Sequence, residues 1–509
     1  MFIARDGHAF SPPHEATSRT THVIGVLLPL TALPDKELKR SLPLVLAVAL
    51  FMEQIDSTVI STSLPAIAAD IGTSPIALKL ALTAYLVSLA IFIPISGWMA
   101  SRFGAKNIFR AAIGVFIVGS LLSAASWSLE SFVVSRFVQG MGGAMMTPIA
   151  RLILLRGTPR NLLVGAMAWL SIPALVGPML GPPLGGFLTT YATWHWIFLV
   201  NVPIGLAGIW AAGRILPDIP RELTLPLDWI GFLLAGFSAA GIVFGLSVVS
   251  LPALPPVVGV ITTLLGIVCG MAYVRHSRRA PAPLLNLDLF RKRIFRTAII
   301  GATFFRIGAG AVPFLLPLMF QLVFGLTPFQ SGLLTFVSAI GAFGMKFLAT
   351  TALRFGGFRT VVISAAIGGG LLVGANGLFT VDTPYPVIMA VLITGGFLRS
   401  LFFTSTNALV FAEIDNKDAA QATALAAVMQ QMSIALGVAF GGGILEVTSM
   451  VTGGSLDKTA FMVAFFGVAA ISLCAVIPFM TLPRDAGSDM SGHRLRGKPA
   501  PQDQQIEGG

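Results

Sequence analysis

Glu53 and Asp56 lie three residues apart inside an apolar run, so on a helix they share one face. A charged side chain within a spanning helix costs roughly 2.5–3.5 kcal/mol on insertion scales, which makes each one a functional candidate. Asp56 stands nine residues before Pro65, or roughly 13 Å from that end of its helix at ~1.5 Å per residue. Arg136 lies about five residues into a later run that enters from the same end, so the arginine's reach brings it to the depth of Asp56. A neighbouring guanidinium and burial act in opposite senses on a carboxyl's charge. Opening and closing such a site can therefore switch protonation. These residues suit a proton carrier, with Asp56 holding the coupling proton, Arg136 tuning it and Glu53 acting as an auxiliary acid. A static structural ion pair is the alternative.

The second half of the chain has cations instead. Arg306, Lys346 and Arg399 sit within apolar runs with no mid-membrane acid nearby, and Glu446 comes near the end of its run. Depth counting puts Arg306 near the middle and the other two toward the end opposite Pro65, so all three can face one cavity. Buried cations without partners are unstable, which calls for acids from the first half or for an anionic ligand; snorkelling or capping of carbonyls is the alternative. Lys79, near the end of its run, reads as snorkelling. Gln139, Gln321, Asn407, Gln430 and Gln431 offer hydrogen bonds that either line the cavity or join helices. The 37 phenylalanines and 18 methionines suit a promiscuous surface, although most must pack or face lipid. No Ser/His/Asp or Cys/His set stands out, and the Gly140–Gly143 cluster lacks the strand-to-helix context of a phosphate loop. The sequence thus points away from an enzyme and calls for no metal and no cofactor beyond a proton gradient.

The elements that hold these residues are membrane helices. Of 509 residues, 55% are hydrophobic and 11% charged, outside the range of ordinary soluble domains. The formal charge of +11 is scattered over loops and tails, which argues against nucleic acid as a partner. Cys269 and Cys474 both lie in apolar runs, too few for a disulfide framework. Apolar runs of about 20 residues number fourteen, centred near Gln54, Val87, Val118, Gly143, Ala174, Gly205, Ala239, Leu265, Gly310, Ile340, Gly370, Arg399, Ser433 and Ser472. Basic residues cluster in alternate connections, at Arg102 and Lys106, Arg156 and Arg160, Arg214 and Arg221, Arg275 to Arg293, Arg354 and Arg359, and beyond Arg484. By the positive-inside rule both termini are cytoplasmic.

The stretch VGPMLGPPLGG, from Val176 to Gly186, carries three prolines and four glycines within an apolar run. Gly177, Gly181 and Gly185 recur every four residues and fall near one face, where another backbone can approach closely. Either plain packing or a pivot between two moving bundles follows, as broken helices provide in transporters. Gly437, Gly441, Gly442 and Gly443 mirror this stretch, and Ser101-Arg102-Phe103-Gly104 is echoed by Leu353-Arg354-Phe355-Gly356. Both matches fall at equivalent places if residues 42–216 form six helices, 217–280 a two-helix insert and 281–482 six more. Residues 1–41 and 483–509 are then cytoplasmic tails, the latter disordered. Two related halves place substrate between them, and the buried charges are expected to meet across that cleft.

These pieces resemble the major facilitator superfamily, and within it the fourteen-helix drug:proton antiporter branch of EmrB/QacA type. IDSTVISTSLP resembles that branch's first-helix motif, and GWMASRFGAKN the superfamily loop motif. Gly97, Arg102, Gly104 and Lys106 fit the loop motif as a gate, while Ser101 and Ala105 stand where an aspartate and a basic residue are usual. RFVQGMGGAMM is similar to the fourth-helix motif. GPMLGPPLGG, with Gly177, Pro178, Gly181, Pro182, Gly185 and Gly186, is similar to the antiporter motif. WHWIFLVNVPIG is similar to the sixth-helix signature, with His195 for the common arginine. FRIGAGAVPF and GAFGMK are similar to a subgroup named after the multidrug protein MdtD, for which export of citrate or iron-citrate is also implied.

The resemblance implies an all-α major facilitator fold of fourteen transmembrane helices, arranged 6+2+6 in two pseudo-symmetric halves. It also implies a proton-coupled exporter of the inner membrane that moves amphipathic drug-like compounds by alternating access. Its partners are a small-molecule substrate, protons and the lipid bilayer, and nothing in the sequence indicates a periplasmic or outer-membrane efflux partner. Export of organic anions or metal-anion chelates is the runner-up, favoured by Arg306, Lys346 and Arg399. A non-transporting membrane sensor would need a soluble output domain, for which the short polar tail after Arg484 is a poor candidate.

Overall fold

The structure is a computed structural model that describes residues 41–159, 162–219, 226–249, 251, 255–415, 418–454 and 456–488. Residues 1–40 and 489–509 of the expected tails at 1–41 and 483–509, together with Arg160 and Arg221, lie outside the described residues. Every secondary-structure element described is helical, as hydrocarbon demands of a chain whose backbone groups find no water. In chain order the helices are α1 (Ser41–Val59), α2 (Leu64–Asp70), α3 (Lys79–Phe103), α4 (Ala105–Ala124), α5 (Leu129–Gly157), α6 (Leu163–Tyr191), α7 (Trp196–Leu199) and α8 (Asn201–Ile215). Then come α9 (Trp229–Val248), α10 (Pro256–Ser277), α11 (Arg293–Leu322), α12 (Pro328–Ala375), α13 (Tyr385–Leu409), α14 (Ala419–Val451), α15 (Lys458–Leu473) and α16 (Val476–Met480).

Among the described residues, twelve helices are long and apolar enough to cross a membrane, rather than the fourteen runs counted in the sequence. The counts part at two places. Pro328–Leu378 is one stretch of 51 residues, about 76 Å at ~1.5 Å per residue and more than twice the ~30 Å hydrocarbon core. Within it Gly357, at φ 67° and ψ 163°, breaks the helix. α6 is a further 29-residue helix that does not figure among the twelve.

The glycine pattern explains how the helices meet. A Cβ at Gly177 would lie 2.6 Å from Gln54 Cβ, and those at Gly181 and Gly185 would collide with Thr58 and with the Val59 carbonyl, so α6 seats its glycine face directly on α1. In the second half, Gly437 lies against the Ile307 carbonyl, and a Cβ at Gly441 would be 2.8 Å from Ala311 Cβ, so α14 seats itself on α11 in the same way. The next glycine of each set touches the other half. Gly186 meets the Pro328 carbonyl at the start of α12, and a Cβ at Gly442 would lie 2.7 Å from Lys79 Cδ at the start of α3. The same swap of contacts occurring twice is the structural form of the repeat seen in the sequence.

All these contacts between halves lie at the Pro65 end of the bundle. There Gln321 Nε2 donates to the Thr62 carbonyl at 2.9 Å, Phe329 N donates to Thr190 Oγ1 at 3.2 Å, and Phe329 packs against Phe187 and Tyr191 with ring centroids 6.0 and 5.8 Å apart. At the opposite end, Gly97 has no neighbour within 4 Å of where its Cβ would be. A matched pair of substitutions follows. Gly185→Ala must displace a backbone carbonyl and is expected to cost about 1–3 kcal/mol, whereas Gly97→Ala is expected to be neutral or to stabilise by up to ~1 kcal/mol from helix propensity. Thermal unfolding in detergent, followed by tryptophan fluorescence, checks both.

The helix pair α9 and α10 is held by glycines as well, a Cβ at Gly241 lying 2.8 Å from Gly266 Cα. Asp228 caps α9 by accepting from Gly231 N at 2.8 Å, and it ties the far end of α10 to the same point by accepting from His276 Nε2 at 2.7 Å and Leu284 N at 3.2 Å. Burial alone would raise the proton affinity of Asp228, but these hydrogen bonds hold its carboxyl below the usual range.

Candidate functional site

Asp56 is fully buried and Arg136 is 1% exposed. The Arg136 Nη1 donates to Asp56 Oδ2 at 2.7 Å. The other carboxylate oxygen, Oδ1, accepts from Gln139 Nε2 at 2.7 Å and from Asn201 Nδ2 at 2.9 Å. Both amides also donate to Ser120 Oγ, at 2.8 and 3.0 Å, and Arg136 Nη1 donates to Gln139 Oε1. The guanidinium stacks 4.3 Å from the Tyr85 ring centroid and 5.7 Å from that of Phe198, a cation over two aromatic faces. Thus α1, α4, α5 and α8 each contribute a polar group to one point, with an aromatic wall from α3 and α7.

This arrangement makes protonation and movement inseparable. An ionised carboxylate only accepts hydrogen bonds, whereas a protonated one carries a donor. Both oxygens of Asp56 already face N–H groups, so a proton on either must displace one of them. Removing the negative charge also leaves the Arg136 guanidinium buried without its counter-charge, an arrangement that costs about 3–5 kcal/mol when one partner of a buried pair is lost. Glu53, 7% exposed on the same face of α1, accepts from Thr147 Oγ1 at 2.8 Å.

The structure brings together Asp56, Arg136 and Gln139, and it corrects the expectation that Gln139 lines a substrate cavity in favour of its alternative, a join between helices. Its amide is spent on Asp56 and Ser120. The expectation that buried charges meet across the cleft is corrected too, because Asp56 and Arg136 both belong to the first half. The buried pair that does cross is one the sequence reading missed. Lys79 Nζ lies 2.8 Å from Glu446 Oε2, with the side chains 0% and 6% exposed, so Lys79 does not snorkel. Gln321 likewise bridges the halves at the Pro65 end instead of lining a cavity.

Arg306 and Lys346 do converge. Arg306 Nη2 donates to Asn407 Oδ1 at 2.7 Å and Lys346 Nζ to Thr404 Oγ1 at 3.0 Å, and Thr404 and Asn407, three apart on α13, share a face. The expectation that Arg399 joins them is not met. It lies five residues before Thr404, on another side of α13, and lines a small cleft inside the second half with Phe305, Gly396 and Ser338, whose Oγ is 3.5 Å from Nη2. Gln430 is half-buried on α14 and takes no part in these contacts.

In the loop motif, Gly104 turns the chain at φ 93°, a value suited to glycine. Lys106 lies 3.3 Å from Asp218, in the connection that follows α8, and Arg102 is exposed. Pro178 and Pro182 lie within the continuous α6, and the Pro182 carbonyl, 3.4 Å from Thr62 Oγ1, also lies where a Cβ at Gly332 would fall. His195 stacks on Trp194 and stands 3.8 Å from Asp70. Two site residues escaped the sequence reading. Asn201 lay within WHWIFLVNVPIG and was available there; Ser120 had no signal beyond being polar in an apolar run.

Comparison with known proteins agrees with the fold over most of the chain. The family model of the Major Facilitator Superfamily matches residues 46–437. A Yersinia enterocolitica protein named "Putative multidrug resistance protein MdtD" is 32% identical over 468 residues, covering 90% of this chain and 98% of that one. A Haemophilus influenzae protein named "Probable transport protein HsrA" is 37% identical over 408 residues, covering 80% and 88%. The crystal structure of a D-xylose-proton symporter superposes with a TM-score of 0.64 at 15% identity, over 88% of this chain and 98% of that one. The chain is therefore a multi-pass membrane transporter, not an enzyme, and it belongs to the Major Facilitator Superfamily.

Proposed function

We propose that this transporter is a proton-coupled antiporter of the inner membrane that exports amphipathic drug-like compounds by alternating access. The observation that carries the reading is the saturation of both Asp56 oxygens by Arg136, Gln139 and Asn201, which ties any proton uptake there to a rearrangement of α1 against α5 and α8. Glu53 serves as the auxiliary acid beside it. The division into 42–216, 217–280 and 281–482, with both termini cytoplasmic, belongs to the same proposal. With that orientation the Pro65 end, where the halves meet, is the external one. Gly97, Arg102, Gly104 and Lys106 then lie at the cytoplasmic gate, and α6 with its glycine face is one of the helices that must slide on the other half. The relatives named for multidrug resistance and transport support the substrate class. Proteoliposomes loaded with ethidium should expel it faster when an inward-directed proton gradient is imposed; flux indifferent to that gradient would overturn the reading.

Convergence of Arg306 and Lys346 on the neutral Asn407 and Thr404 favours a second reading, in which the cavity accepts organic anions such as citrate or a metal-citrate chelate. Under that reading Arg306→Ala and Lys346→Ala each reduce citrate flux at least tenfold, since a hydrogen bond to a charged group contributes about 1.5–3 kcal/mol, while ethidium flux changes less than twofold. Radiolabelled citrate efflux from the same vesicles measures it, and unchanged citrate flux in both variants would count against an anion cavity.

A further inference from the structure

A cavity of about 400 Å³ lies between α1, α6 and α8 and is capped by the first turn of α12. Its walls are apolar and unusually aromatic: Phe51, Phe187 and Phe329 come from three different helices, with Leu184 and Ile204 between them. The polar side chain in its lining is Asn201. Both amide hydrogens of Asn201 are committed, to Asp56 Oδ1 at 2.9 Å and Ser120 Oγ at 3.0 Å, so the group it has left to offer is its carbonyl oxygen, an acceptor. Two residues of its lining on α6, Leu180 and Phe187, are 41% and 48% exposed, and on a spanning helix an exposed apolar side chain meets hydrocarbon.

We propose that this cavity is a binding site for a flat, hydrophobic aromatic molecule that carries a single hydrogen-bond donor and enters from the bilayer. Three phenyl rings supply edge-to-face contacts, which prefer an aromatic occupant over a flexible chain. The acceptor of Asn201 selects a molecule with one N–H or O–H over a pure hydrocarbon, because a lone donor transferred out of water needs a partner. A volume of about 400 Å³ is within the range of small-molecule pockets and holds two to three fused or linked rings. The occupant would touch both halves, through Phe329 on one side and through Phe51, Phe187 and Asn201 on the other, and it would rest on a residue that hydrogen-bonds Asp56. The assignment concerns binding and does not rest on proton-coupled export.

The test is a fluorescence titration of the full-length protein in lipid nanodiscs with N-phenyl-1-naphthylamine, an aromatic amine with one N–H that brightens in apolar sites. The expected result is a saturable component of one molecule per chain above the linear partitioning seen with empty nanodiscs. Leu184→Trp and Ile204→Trp, each filling the cavity, should remove that component, whereas Leu206→Trp, on an exposed flank of α8 outside the lining, should retain it. The N-methylated probe, which lacks the donor, should bind about tenfold more weakly, as the loss of one hydrogen bond to a buried acceptor predicts. Absence of a saturable component in the unmodified protein would overturn the proposal. So would its persistence in a cavity-filling variant that keeps the parent's thermal midpoint, and equal affinity for both probes would overturn the role given to Asn201.

Discussion

Asp56→Asn is expected to abolish proton-driven accumulation outright. For an uncharged substrate exchanged for one proton, with the membrane potential clamped, a gradient of one pH unit is worth about 1.36 kcal/mol and sustains a substrate ratio of about tenfold. Without a carboxyl to carry the proton, the ratio should fall to one, while downhill exchange persists at a reduced rate. The variant should also lose stability, because Arg136 keeps an acceptor in the asparagine oxygen but loses the opposing charge; the loss approaches the ~3–5 kcal/mol of a broken buried pair. Asp56→Asn/Arg136→Gln should recover most of that stability and none of the coupling. The two readouts therefore separate a carrier from a structural ion pair, which would regain function along with stability. Measuring substrate ratio and thermal midpoint in the same vesicle preparations decides it. A wild-type ratio in Asp56→Asn would move the proton elsewhere, first to Glu53.

How much of this could be seen beforehand depends on the range over which each feature acts. Spanning helices are legible because twenty apolar residues are a local property, and the Asp56–Arg136 pair is legible because two helices entering from known ends can be compared by depth. The glycine face of α6 is legible as spacing, yet its partner is not, since nothing in GPMLGPPLGG names Gln54, Thr58 and Val59 as the surface it meets. Ser120 and Asn201 fill the Asp56 shell from helices whose rotation about their own axes the sequence leaves open. Arg399 shows the same limit. Its depth agrees with that of Lys346, but depth is one coordinate, and its azimuth on α13 puts it in a different cleft. The number of crossings was harder to read than the fold, because a 51-residue stretch that turns at one glycine is one helix or two according to a single φ.

Lys79 and Glu446 carry the second large expectation. They are 367 residues apart in the chain, and each stands near a helix end where snorkelling would suffice, so only folding reveals that α3 and α14 bury them against each other across the two halves. A buried pair of this kind contributes little net stability over an apolar pair of similar size, but removing one partner is costly. Lys79→Met and Glu446→Leu alone each leave one buried charge, which is relieved when the Pro65 end opens to water. Either single change should therefore favour the opened state by about 3–5 kcal/mol, shifting its population by two to three orders of magnitude or more. The double variant Lys79→Met/Glu446→Leu should behave in the opposite sense. Two apolar side chains are content when the halves are closed and are exposed to water when they part, so the closed form gains and turnover slows. In a background with Cys269 and Cys474 replaced by serine, a cysteine introduced at Thr62, which is fully buried at the same end where Gln321 bridges the halves, reports the outcome. Its labelling by a membrane-impermeant maleimide should rise in both single variants and fall below the parent in the double. If the double variant labels as readily as the singles, the pair does not hold the Pro65 end shut, and closure there rests on the glycine and aromatic contacts of α6 with α12.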